Sequence, residues 1–147
     1  MNTPDADGLL AEQLLRLTRR LHRIQKRHLV PIGITPAQSR LLRTLAHCET
    51  PPRMADLAQR LEVVPRAVTS LVDGLEASDH VRRVPDPTNR RVIRIELTDA
   101  GRGALRELRT ARRAAAEDIL APLDAEQRAQ LGVLLNALFD VPDVRRR

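Results

Sequence analysis

The stretch Val81 to Leu97, VRRVPDPTNRRVIRIEL, constrains the fold more than any other part of the chain. Two β-prone runs, Val81 to Val84 and Val92 to Leu97, flank a loop of Pro, Asp, Thr and Asn that ends in Arg90 and Arg91. That order of residue types predicts a β-hairpin with a positively charged tip.

Helical periodicity fills the chain on both sides. Leu10, Leu14, Leu17, Leu21 and Ile24 are spaced 4, 3, 4, 3 and predict one long helix, roughly Gly8 to Val30. Its apolar seam needs a partner helix, from the same chain or from a second copy. Thr35-Pro36-Ala37-Gln38 is a helix start: Thr35 caps, Pro36 suits the first position and Gln38 completes a capping box. Leu41, Leu42 and Leu45 stripe that helix, which ends near Cys48 before Pro51-Pro52. A short helix, about Arg53 to Leu61, buries Met54, Leu57, Ala58 and Leu61. After the tight connection Glu62-Val63-Val64, Pro65 opens a further helix to about Ser78. There Val68, Leu71, Val72 and Leu75 share one face, and Arg66, Thr69, Ser70 and Asp73 point the other way. Beyond the hairpin, Thr98-Asp99 caps a helix from Asp99 to Leu120. Asp124 caps another, Ala125 to Phe139, carrying Leu131, Leu134, Leu135 and Leu138 on one side. A basic run, Arg145 to Arg147, follows.

Two helices joined by a short turn and followed by a basic hairpin form a winged helix, an arrangement that reads duplex DNA. The small polar residues of the Pro65 helix, with an arginine near its start, suit a major groove. One wing arginine would enter the minor groove, and phosphate contacts would fix the register. The net charge of +6 favours a polyanionic partner. With one Phe and no Tyr or Trp, the chain has almost nothing on which to stack single-stranded bases.

The run from Ile34 to Leu108 resembles the MarR family of bacterial transcription regulators. The matching residues are ITPAQSRLLRTL, ADLAQRLEVVPRAVTSLVDGLE and VRRVPDPTNRRVIRIELTDAGR. The resemblance implies one domain over 1–147, mainly α with a small hairpin wing. Residues of about 8–30 and 99–139 would be dimerisation helices, and about 35–98 the DNA-binding lobe. It implies a homodimer held through Leu10, Leu14, Leu17, Leu131, Leu134, Leu135 and Leu138, binding a palindromic operator as a repressor. DNA contacts fall on Arg66, Thr69, Ser70, Asn89, Arg90 and Arg91. The family's pairing of a recognition-helix aspartate with a wing arginine maps to Asp73 and Arg91. Physically, an acid facing DNA is unfavourable unless a cation neutralises it. Members commonly release DNA when a small, often anionic aromatic effector binds between the dimerisation and DNA-reading regions, and the resemblance implies a pocket lined here by the first, second and fifth helices. The expected walls here are Leu17, Arg20, Leu21 and Leu45.

There are departures from the pattern. Asn89 replaces a usual Asp, Asp79 a usual Gly, and Val64 a usual Ser or Thr cap. Gly74 interrupts the reading helix, at a cost of up to ~1 kcal/mol. Cys48, at a helix C-terminus, reads as an inert thiol. His22, His28, His47 and His80 have no metal-site spacing, no catalytic constellation is present, and no cofactor is implied. The alternative is an architectural or protein-interaction winged helix without a specific operator. The N-terminus has no signal pattern and no apolar run could span a bilayer, so a cytoplasmic location is expected.

Overall fold

The structure, a computed structural model, describes residues 4–139; the basic run at 145–147 lies outside them. Six α-helices and one antiparallel hairpin make up the described chain. Helix α1 (Pro4–Leu29) passes through a 3-10 turn (Val30–Ile32) into α2 (Pro36–Ala46). Then come α3 (Met54–Leu61), α4 (Pro65–Ala77), strands β1 (Val81–Pro85) and β2 (Ile93–Leu97), α5 (Asp99–Leu120) and α6 (Ala125–Phe139). The architecture is the expected one, mainly helical with a two-stranded wing.

Local chemistry sets the element ends. Thr35 accepts from the Gln38 backbone N–H at 3.2 Å while the Gln38 side chain accepts from Thr35 N–H at 3.0 Å, the expected capping box. Thr98 accepts from Gly101 N–H at 3.0 Å and opens α5. Asp124 accepts from Gln127 N–H at 2.8 Å and opens α6. Val64 caps α4 with no side-chain bond, so Pro65 and the preceding turn alone define that start.

The core joins α2, α3, α4, the sheet and α5. Leu41, Leu42, Leu57, Val68, Val72, Leu75, Val81, Ile95 and Leu108 are almost wholly shielded from water. Two glycines permit close approach. A Cβ at Gly101 would fall 2.0 Å from the His80 carbonyl oxygen, so the first turn of α5 meets the start of β1 only without a side chain. At Gly74 a Cβ would lie 2.9 Å from the capping Gln38 amide.

The α1 seam divides. Ile24 is buried and α1 packs on α5, but Leu10, Leu14 and Leu17 remain exposed. On α6, Val133, Leu134, Leu135, Leu138 and Phe139 are all exposed. No described helix is long and apolar enough to cross a membrane.

Candidate nucleic-acid interface

The turn between α3 and α4 is short because Glu62 takes a left-handed conformation, φ 55°, closed by Val63 N–H donating to Ala58 O at 3.1 Å. It sets α4 across α3 with Val68, Val72 and Leu75 inward and Arg66, Thr69, Ser70 and Asp73 outward. These are the faces expected from the periodicity. Thr69 donates its hydroxyl to Pro65 O at 3.2 Å, which leaves its oxygen free to accept. Arg66 has no ion pair among the described residues.

Residues 86–92 form the wing loop around one buried carboxylate. Asp86 is 5% exposed. It accepts from Thr88 N–H at 2.8 Å, the Thr88 hydroxyl at 2.6 Å and Asn89 N–H at 3.1 Å, and it pairs with Arg94. The Thr88 hydroxyl bond and then the Arg94 guanidinium hold its carboxyl far below the ordinary range. Arg94 also donates to Pro51 O at 2.7 Å, and Ile95 N–H donates to Pro52 O at 2.9 Å. The wing is thus tied to the segment before α3. Asn89 accepts from Arg91 N–H at 3.2 Å, and Asn89, Arg90 and Arg91 sit exposed at the tip.

The expected Asp73–Arg91 contact is replaced by another. Arg83 donates to Asp73 at 2.5 Å and to Glu76 at 2.6 Å, and its backbone N–H donates to Glu76 at 3.0 Å. The reason is the strand's alternation. Val81 and Arg83 share the β1 face that packs toward α4, whereas Arg91 lies beyond the last paired residues, Pro85 and Ile93. The Arg83 backbone and guanidinium bonds lower the Glu76 carboxyl's pKa, and the Asp73 bond raises that of Arg83. Arg83, Asp86 and Arg94 were missed as site residues. The alternation from Val81 was the available signal for Arg83, and an acid placed among turn formers was the signal for Asp86.

The expected effector walls are also displaced. A cavity of about 300 Å³ does lie between α1, α2 and α5, but His22, Lys26, Leu29, Ser39, Arg43 and Arg112 line it. Leu17 and Arg20 are exposed and do not line it. Leu21 is half-buried but does not line that cavity, and Leu45 lines a separate cleft. Burial, then the neighbouring Arg112 and Arg40 charges, lower the pKa of Arg43. No group of His, Cys, Asp and Glu suited to a metal ion occurs among the described residues.

A family model described as MarR family matches residues 32–92. The HTH-type transcriptional repressor MdtR of Bacillus subtilis is 33% identical over 128 residues, covering 85% of this chain and 82% of that protein. The chain belongs to the MarR family. It is therefore a winged helix-turn-helix transcription regulator, not an enzyme. Among solved structures, the YusO protein from Bacillus subtilis superposes on this MarR-family chain with a TM-score of 0.81 at 26% identity, over 96% of this chain and 99% of that one. A mutant of S. aureus MepR bound to an oligodeoxyribonucleotide gives 0.71 at 20% identity, over 88% and 95%. At that identity the second likeness concerns the fold.

Proposed function

We propose that this MarR-family chain is a repressor that binds a palindromic duplex operator as a homodimer. One observation carries the reading: both carboxylates on the C-terminal half of the exposed α4 face are held by Arg83, while Arg66, Arg90 and Arg91 stand without ion pairs among the described residues. A surface so arranged presents available cations and satisfied anions, as a phosphate-facing surface requires. Thr69, Ser70 and Asn89 add short polar groups between those cations. MdtR is named a repressor and a MepR mutant was seen on an oligodeoxyribonucleotide, which agree with the reading.

Dimerisation runs through the uncovered leucines of α1 and α6. Helix α6 buries nothing within its own protomer and leaves Leu134, Leu135 and Leu138 exposed, and an apolar helix face of that kind needs a partner. The α1–α2–α5 cavity is the effector site in this reading. Its apolar wall at Leu29 and its cations Lys26, Arg43 and Arg112 suit a small aromatic anion. Arg43, partly buried and then crowded by Arg112 and Arg40, is relieved by such a ligand.

The deciding experiment titrates labelled duplex from the region flanking the chain's own gene, chosen for an inverted repeat. A repressor prefers that site over unrelated duplex by at least ~10³-fold. Equal affinity for both would replace this reading with an architectural role.

A further inference from the structure

A cleft of about 620 Å³ borders both strands of the wing and the end of α2. Alternate residues of a strand face opposite ways. Arg83 turns to α4, whereas its neighbour Arg82 turns to this cleft. The other walls are the 49–52 loop and the first half of α5.

Its lining combines an apolar floor with a cationic rim. Leu45 and Ile95 are buried at the base, and Leu105 is half-buried beside them. Arg82, Arg102, Arg106 and Arg109 line the rim against two acids, Glu49 and Glu96. Glu96 is already taken by Arg82, its register partner across the sheet. Arg102 is engaged by Asp99 at 3.4 Å and by Leu97 O at 3.3 Å. Arg106 and Arg109 have no carboxylate partner among the described residues. We propose that this cleft is a second ligand site, separate from the α1–α2–α5 cavity, and that it takes an amphipathic organic anion.

The apolar floor takes the hydrocarbon body, and Arg106 and Arg109 take the acid group. The volume is in the range of small-molecule sites, which commonly span ~300–1,000 Å³. Two guanidiniums one helical turn apart on α5 can hold one carboxylate, sulfonate or phosphate with charge-assisted bonds. The buried apolar floor of Leu45 and Ile95 suits a hydrocarbon body better than a phosphodiester backbone.

Cys48 provides the readout. It is the chain's one cysteine and half-buried, and it lines this cleft but not the α1–α2–α5 cavity. The test follows its alkylation by neutral iodoacetamide in the full-length protein. The probe is 8-anilinonaphthalene-1-sulfonate, an aromatic body with one acid group. At ten times its Kd, occupancy slows alkylation about tenfold. N-phenyl-1-naphthylamine, the same body without the sulfonate, gives little protection, and this comparison needs no variant. The exposed pair R106Q/R109Q, checked for native circular dichroism, raises the Kd of the protecting event about tenfold or more. K26Q/R112Q, in the other cavity, leaves protection intact, so failure of that effector site would not mimic failure here. An unchanged alkylation rate with the sulfonate overturns the proposal. So does equal protection by the neutral analogue, protection that survives R106Q/R109Q, or protection lost with K26Q/R112Q. Protection of Cys48 by duplex DNA also overturns it, because the arginines would then be phosphate contacts.

Discussion

Asp79 sits at φ 62° where the chain leaves α4 for β1. A non-glycine residue in the left-handed region carries a steric cost, smaller for Asp than for most. Its side chain makes no hydrogen bond among the described residues, while its carbonyl accepts from the Thr98 hydroxyl. Asp79→Gly removes the strain and keeps the carbonyl. Unfolding stability should rise by about 0.5–1 kcal/mol in a denaturant titration; an unchanged midpoint would show the turn to be unstrained. Arg83 makes a different kind of prediction, because it acts on DNA through other residues. Arg83→Met strips the cation from Asp73 and Glu76 and leaves two carboxylates on the reading surface. Affinity for duplex should fall by about tenfold at low salt. Adding Asp73→Asn and Glu76→Gln to the same chain should restore most of it. Failure of the triple variant to recover would mean that Arg83 touches DNA itself.

The wing shows what a charge pattern in the sequence discloses and what it hides. Its strands, its basic tip and the limits of α5 and α6 were legible, because β-branched runs, Thr98, Pro122 and Asp124 are local signals that tertiary contacts did not override. Partner choice was not legible. Arg82, Arg83, Arg90, Arg91 and Arg94 all lie within reach of a nearby acid along the chain, and only the strand register separates them. The same holds for the α1–α2–α5 cavity. Its three helices were read correctly, but where α1 crosses α2 depends on packing that no periodicity records. At this scale the Asp86 carboxylate carries a pH prediction. Its pKa is depressed in the folded state, so its contribution to stability is complete above the ordinary carboxylate value, near ~4. That contribution is lost as pH falls toward the lowered value. Amide exchange at Thr88 and Asn89 should therefore stay protected down to about pH 4 and loosen below it. Asp86→Asn should expose both amides already at neutral pH while leaving the α3 and α5 amides unchanged. Equal exchange in the two proteins would show the loop to be held by its backbone alone.

Across the whole molecule the apolar surface and the cationic surface depend on each other. Leu10, Leu14 and Leu17 of α1 and Leu134, Leu135 and Leu138 of α6 are exposed, and clustered exposed apolar side chains mark association surfaces. The wing tip and α4 lie on the intervening lobe. If two copies join through the end helices, two α4 readers can meet successive major grooves about 34 Å apart. In that arrangement each reader supplies half of the phosphate contacts. Leu14→Glu with Leu134→Glu places a charge on each apolar face at positions already open to solvent, so the protomer core is untouched. Sedimentation velocity should change from twice the protomer mass to the protomer itself, with helical circular dichroism retained. The salt dependence of duplex binding should change with it. If the dimer neutralises six phosphates, log K falls against log salt with a slope of about −5, and a single reader gives about half of that. A dimer with the steep slope in wild type, and a protomer with the shallow one in the variant, would tie the apolar faces to DNA reading. A variant that stays dimeric would move the interface elsewhere. A variant that becomes monomeric but keeps the full slope would separate the two surfaces, and the operator would then be read by one protomer at a time.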